Sequence, residues 1–578
     1  MCAAFLCAAC GGNDRTPSRS GDPLFALQWY LLNVGQDVFT GAPGTPGIDL
    51  DVMGPQDEGI TGRGVNVMVV DSGVEIAHPD LADRIDPLML RNFDPAAANA
   101  NDPTPPVGTV SPEGHGTAVA GIIAATANNR IGIQGVAPQA TLGAVRYLCD
   151  GCQTPVNTLS TYGGAPFSQT VAVYNASYST SAAAPLPFDL SRDFMSIVLQ
   201  HLETMRNGLG AVVVKAAGNS FRSASDNAYV VCSNANEHHV TCLNANNDPL
   251  ATMPQVVTTA AVNATGVRSS YSSAGSSILV SGLGGEYGLA PDAPAGAPLG
   301  PAMVSTDLTG CNQGFASTQG VSAYDNPFDV PGSDINRAFN ANCDYTARMN
   351  GTSSAAPTVS GVVALMLQAN PALTWRDVRQ ILMRTARRID AARVPASVGL
   401  PSGEAYVPEP AWTQNAAGVW FDNWYGFGLV DARAAVDMAR HYNRHLSGAM
   451  LVDTAFMDLG ETGEPIPQGN VAGLQLSLPV SGSARTVEHV QVVVDMVTAD
   501  AGDLAVEVIS PAGTRSVLQN AYNGFLNTGA PVSDWVLATN AFNGESASGT
   551  WTVHFVDVDT RNSAPMQVGG VGIRVMGH

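Results

Sequence analysis

No stretch of about 18 uninterrupted apolar residues occurs in this 578-residue chain, so the sequence offers no transmembrane helix. Charge is scarce, with 13% of residues being Asp, Glu, Lys or Arg. Positive charge is scarcer still: 27 Lys and Arg face 49 Asp and Glu, a formal net charge of −22. Such a surface repels nucleic acid and anionic lipid. It suits solubility outside the cell, and attraction of a cationic substrate is the second reading. What is present in quantity is apolar, 45% of the chain, which is too much for a disordered polymer. The length exceeds what one compact core serves, so two domains or more are expected.

Nine cysteines divide into two groups. Cys2, Cys7 and Cys10 fall within "MCAAFLCAACGGNDR", an apolar, small-residue run that turns polar. It resembles the tail of a signal peptide ending in a lipobox, with Cys10 as the acylated residue of a bacterial lipoprotein. Membrane contact is then expected only through that lipid. Cys7 stands where a lipobox has leucine, and no basic stretch precedes the run. The other six fall as Cys149/Cys152, Cys232/Cys242 and Cys311/Cys343. Close, even pairing implies three disulfides and an oxidising compartment. "CDGC" could be half of a metal site, but no matching His/Cys pair follows, and a disulfide is preferred.

Residues 1–22 read as leader and tether, 23–444 as one domain and 445–578 as another. From about residue 60, apolar runs of strand length alternate with helical stretches. "GVNVMVV", "ATLGAVRYL", "TVAVYNASY", "LGAVVVKAAGN" and "PQVVTTAAV" are the strands. "GTAVAGIIAATA", "MSIVLQHLETM", "VSGVVALMLQAN" and "TWRDVRQILMRTARR" are the helices. This grammar predicts an α/β fold, a mostly parallel sheet with helices on both faces. Residues 284–345 are rich in Gly, Pro, Asn and Asp and read as a long loop insertion held by Cys311 and Cys343. After about 445 the pattern becomes all-β, with turn signals between "HVQVVVDMV", "GDLAVEVISPAGT", "GTWTVHFVDV" and "VGIRVMG". In "GTWTVHFVDV", alternation sends Trp551, Val553 and Phe555 to one face and Thr552 and His554 to the other. A β-sandwich or jelly roll is expected.

Four residues at element ends carry candidate chemistry. Asp71 ends the strand "VMVVDSG", His115 opens a small-residue helix in "EGHGTAVAG", and Ser353 opens another in "GTSSAAP". A serine hydroxyl is a weak nucleophile. It needs an imidazole to take its proton and a carboxylate to orient that imidazole and stabilise its cation. Asn219, after "AVVVKAAG", supplies an amide that, with the Ser353 N–H, could bind the oxyanion of a tetrahedral intermediate. Of the adjacent serines, Ser353 sits at the helix start, where backbone N–H groups favour negative charge, and Ser354 is expected to pack.

With "DSG", "HGTAVAG", "AGN" and "GTSSAAP" in this order, the chain resembles the subtilisin-like serine peptidases. "DPLFALQWYL", "TGRGVNVMVVDSGVEIAHPDL", "LTWRDVRQIL" and "YGFGLVDA" place it near the kexin/furin branch, and the β region resembles that branch's P domain. The resemblance spans residues 22 to 578. It implies a serine endopeptidase acting on proteins or peptides, with Asp71, His115, Ser353 and Asn219 as its machinery. It also implies structural Ca²⁺ held by Asp22, Asp80, Thr126 and Asn129, with the carbonyls of Ile131 and Ile133. Asp94 and Asp102 resemble part of a second calcium site in which Thr104 replaces an acid. The carboxylates of the branch's calcium site near the specificity pocket fall on Ala182 and Ser273, so that site is expected to be absent. Ser177, Tyr178 and Ser179 match the substrate-pairing strand, with Ser179 where the family has glycine. Asp248 matches one pocket acid, which implies a basic P1 residue; Ser72 replaces a second acid beside Asp71. No N-terminal propeptide is visible, so a separate folding helper is a possible partner. An extracellular or cell-surface location follows from the same likeness. Two other readings remain: a broad degradative subtilisin, and a catalytically silent protein that binds a surface partner through its β domain.

Overall fold

The protein is described here by a computed structural model covering residues 20–108, 113–222, 230–289, 296–316, 326–482, 486–560 and 564–578. Cys2, Cys7 and Cys10 lie outside the described residues.

Seven strands form one parallel sheet in the first part of the chain. They are β1 (Asn66–Asp71), β2 (Ile85–Asn92), β3 (Thr141–Arg146), β4 (Val173–Ala176), β5 (Val212–Ala216), β6 (Val256–Val262) and β7 (Val280–Leu283). Their order is β2-β3-β1-β4-β5-β6-β7. β1 pairs on one side with β3 and on the other with β4, both in parallel. Helices cover the sheet, so its strands are apolar on both faces. Val67, Met68, Val69 and Val70 of β1 are all buried. Winding reverses around β1, and a crevice beyond its carboxyl end is the expected ligand position in an open α/β sheet.

Two helices matter for that crevice. One runs His115–Ala124 and the other Thr352–Ala369. Both are built from small residues and are almost wholly buried, which lets them lie close against each other and the sheet. The following helix, Trp375–Thr385, starts on a capping box between Thr374 and Asp377.

The stretch expected to be a loop insertion is more ordered than that. Met303–Thr306 and Tyr345–Met349 pair as antiparallel strands, and Asp334–Phe339 is a short helix. Ser305 Oγ donates to Ala118 O at 2.5 Å and Thr306 Oγ1 donates to Thr117 O at 2.7 Å, so the hairpin braces the His115 helix. Its serines and threonines read as loop in the sequence because they bond a helix rather than fill a core. All three expected disulfides form: Cys149–Cys152, Cys232–Cys242 and Cys311–Cys343.

The C-terminal part is a sandwich of two antiparallel sheets. Leu451–Asp458, Val487–Asp500, Asn527–Thr539 and Gln567–Gly577 belong to one, with a short added strand at Glu464–Pro465. Leu474–Val480, Leu504–Ile509, Arg515–Gln519 and Gly549–Asp557 form the other. Trp551, Val553 and Phe555 point into its core as alternation predicts. His554, on the opposite face, is also covered and contacts Glu507 Oε2 at 3.2 Å.

The two parts share a buried polar seam. Asn246 Nδ2 donates to Leu518 O at 2.8 Å, and Ala538 N donates back to Asn246 Oδ1 at 3.0 Å. Arg379 Nη2 donates to Asn540 Oδ1 at 3.0 Å, and Arg376 pairs with Glu488.

Candidate active site

Asp71 is the last residue of β1 and is fully buried. Its Oδ1 accepts from Ser72 N at 2.7 Å and meets His115 Nδ1 at 2.7 Å. That contact fixes the tautomer: Nδ1–H donates to the carboxylate and Nε2 is left as a base. Gly116 permits the approach. A Cβ there would lie 2.1 Å from Gly73 O and 3.0 Å from Asp71 Cβ, so any larger residue would push the helix away. Burial lowers the His115 pKa, but the charge and hydrogen bond of Asp71 outweigh it and leave the imidazole above its ordinary value.

Ser353 is the second residue of its helix. Its Oγ donates to Ser177 O at 3.0 Å, and Ser177 Oγ donates to Ser353 O at 2.8 Å. Pro357 explains the second bond. It has no N–H, so the Ser353 carbonyl four residues earlier lacks its helical partner and takes the Ser177 hydroxyl instead. The hydroxyl of Ser353 thus rests on the segment that follows β4 rather than on His115. Such hydrogen bonds commonly tighten only when substrate arrives. Ser354 is fully buried and its Oγ has no partner among the described residues, consistent with packing.

Asn219 is exposed, four residues after Lys215 of β5. Its Oδ1 accepts from Thr352 N and from Thr352 Oγ1, each at 2.8 Å. This pins the carboxamide and leaves its Nδ2 without an acceptor among the described residues. Gly351, at φ +96°, makes the turn, and a Cβ there would come within 2.9 Å of Asn219 Nδ2. The sequence reading missed Thr352 and Pro357, although both lie in the motif that identified Ser353.

Ser177, Tyr178 and Ser179 continue β4 beside Ser353. Asp248 lies behind them, 3% exposed, and its Oδ2 accepts from Thr180 N at 2.8 Å. The same oxygen is 2.9 Å from Lys215 Nζ, a partner that the sequence reading also missed.

The residues named for calcium gather around the segment from 126 to 133. Asp22 Oδ2 accepts from Asn128 N at 2.7 Å and its Oδ1 from Arg130 N at 3.1 Å. Asp80 Oδ1 accepts from Asn129 Nδ2 at 2.7 Å and its Oδ2 from Ile133 N at 2.9 Å. Asp80 is pushed up to about 7, first by burial and further by the charge of Asp22. Hydrogen bonds from Ile133, Asn129 and Tyr345 pull the other way. Thr126 Oγ1 is buried without a partner among the described residues. Two crowded carboxylates, an orphaned hydroxyl and nearby amide oxygens fit a hard divalent cation. Among the described residues no group of three or more His, Cys, Asp or Glu forms a metal cluster, so these oxygens would act with backbone and amide donors.

The chain belongs to the subtilase family, whose model matches residues 62–428, and it carries a proprotein convertase P-domain matched at 487–568. It is a subtilisin-like serine protease. An extracellular serine protease of Aeromonas sobria is 38% identical over 559 residues, covering 93% of this chain and 84% of that protein. A microbial serine proteinase of Aeromonas salmonicida is 33% identical, covering 91% and 83%. Human neuroendocrine convertase 2 is 28% identical, covering 92% and 70%. The solved structure of the A. sobria protease with its chaperone ORF2 superposes with a TM-score of 0.85 at 33% identity, over 97% of this chain and 95% of that one.

Proposed function

We propose that this protein is an exported serine endopeptidase in which Ser353 attacks the scissile carbonyl. His115 Nε2 takes the hydroxyl proton and returns it to the leaving amine. Asp71 holds the imidazole in the required tautomer and stabilises its cation. Asn219 Nδ2 and the Ser353 N–H receive the oxyanion. The observation that carries this reading is the 2.7 Å contact between buried Asp71 and His115 Nδ1. The test is labelling with a fluorophosphonate probe. Wild-type protein labels and Ser353→Ala does not; absence of labelling in folded wild type with calcium would instead support the silent binding protein.

A Ca²⁺ ion held by Asp22, Asp80, Thr126 and Asn129 with the carbonyls of Ile131 and Ile133 would tie the N-terminal segment to the loop after the His115 helix. The crowding of Asp22 and Asp80 supports it. A separate folding helper is supported by the chaperone-bound relative, and coexpression with a neighbouring small gene tests it. Export is supported by the three disulfides and the extracellular relative. We take residues 23–444 as the catalytic domain and 445–578 as the P domain. A basic P1 preference leans on Asp248 alone. Its ion pair with Lys215 favours the second reading, a protease without that preference.

A further inference from the structure

Lys215 is the only lysine in the chain, against 26 arginines. It is the penultimate residue of β5 and is 2% exposed. A lone lysine buried in a core strand needs a reason, because an ammonium loses its hydration there and must be repaid by a partner. Its Nζ lies 2.9 Å from Asp248 Oδ2, donates to Tyr178 O at 2.5 Å and sits 4.6 Å from the centre of the Tyr178 ring. Asp248 is fully engaged as well. Oδ2 also accepts from Thr180 N, and Oδ1 accepts from Leu250 N at 3.0 Å.

The place of this pair follows from the site geometry. A peptide whose carbonyl carbon meets Ser353 Oγ, with its oxygen toward Asn219 Nδ2, lies between two walls. One is the segment 177–180, anchored on Ser353 by the reciprocal Ser177 bonds. The other is the segment 216–219 that leads from β5 to Asn219. A Cβ on Gly218 would stand 3.2 Å from Ser179 Oγ, so the two walls face each other closely. The space between them is where the proposal below seats the side chain on the acyl side of the scissile bond. Lys215 and Asp248 join the walls from behind, the lysine from β5 and the aspartate through Thr180.

We propose that Lys215 is a specificity-determining residue: paired with Asp248, it cancels the charge at the base of the P1 pocket, so this protease turns away Arg and Lys and cleaves after uncharged side chains. The inference rests on the protease reading above. An incoming P1 cation finds Asp248 already holding an ammonium. It would have to displace that ammonium into a buried site or remain unpaired there, and either is costly. Aromatic rings lie beside the pair. Tyr178 lies 6.1 Å from Tyr147 between centroids, and its hydroxyl is 3.0 Å from that of Tyr162. The same compensation recurs on the other side of the catalytic acid. Arg146 donates to Ser72 O at 2.6 Å and to Glu113 Oε2 at 2.5 Å, and its Nε lies 3.5 Å from Asp94 Oδ2. Glu113 and Asp94, like Asp248, thus already have a basic partner.

The test is P1 profiling of the full-length protein in calcium with a fluorogenic peptide library, alongside fluorophosphonate labelling. Wild type is expected to show kcat/KM at least tenfold lower for Arg and Lys at P1 than for the best uncharged residue. Lys215→Met, which frees Asp248, is expected to raise the Arg-to-uncharged ratio tenfold or more. Lys215→Met combined with Asp248→Asn removes both charges and is expected to restore the uncharged preference. Wild type that cleaves best after Arg or Lys would overturn the inference. So would a Lys215→Met protein that labels normally with an unchanged ratio. If Lys215→Met does not fold, the wild-type profile still decides, because a preference for Arg or Lys there overturns the inference. Folded wild type that the probe does not label overturns the protease reading itself, a separate and distinguishable failure.

Discussion

Asp71 and burial act on His115 in opposite directions, and the carboxylate prevails. The consequence is a sign that can be measured. As the proposed base, His115 must be neutral, so kcat/KM is expected to fall as pH drops through its raised pKa. In Asp71→Asn the burial effect remains and the raising charge is lost, so the acidic limb moves to lower pH. The same change lets the ring adopt the wrong tautomer, and kcat is expected to fall by about 10⁴-fold. A pH–rate profile of both proteins checks limb and amplitude together. Asn219 tests a different quantity. Its Oδ1 is held by Thr352, so removing the side chain takes away a donor that was already oriented. Asn219→Ala should lower kcat by about 10²–10³ with little change in KM, as steady-state kinetics on one peptide would show.

The elements deliver these residues through close approach rather than bulk. Gly116 lets the His115 helix meet the Asp71 turn, and Pro357 frees the carbonyl that links Ser353 to Ser177. Five of the seven parallel strands were legible as apolar runs, because a sheet covered on both faces leaves no alternation to misread. β2, reading "IDPLMLRN", was not, since its first half is partly exposed and contains proline. The hairpin after residue 300 was hidden for another reason: its polar side chains bond the His115 helix, and sequence cannot say to whom a serine donates. The Asp71–His115 contact was legible because both residues sit on recurrent strand and helix ends. The Lys215 partnership was not, because Asp248 lies 33 positions away in the chain. The proposed calcium site makes its own prediction. Adding Ca²⁺ at 100 times its dissociation constant should stabilise wild type by about 2.7 kcal/mol, read as a calcium-dependent rise in melting temperature. Asp80→Asn should abolish most of that dependence while the protein still folds.

For the molecule as a whole, the P domain and the catalytic sheet are joined by polar groups that cannot be left unpaired. Arg376 and Glu488 are 1% and 3% exposed, and Arg376 also donates to Ser447 O and Ala449 O, each at 2.7 Å. Glu488→Gln leaves a buried guanidinium without its counter-charge and should cost about 3–5 kcal/mol. Urea unfolding would show this as a lower midpoint. Because Trp535 and Trp551 lie in the sandwich core, loss of their fluorescence and loss of fluorophosphonate labelling should coincide if the two domains unfold together. The account depends most on four side chains meeting at one carbonyl. A crystal structure with a peptide boronate tests this directly. It should show boron bonded to Ser353 Oγ, one boronate oxygen about 2.7–3.1 Å from Asn219 Nδ2 and the Ser353 N–H, and His115 Nε2 within hydrogen-bond reach. An adduct on any other residue, or His115 remaining out of reach of a bonded Ser353, would contradict it.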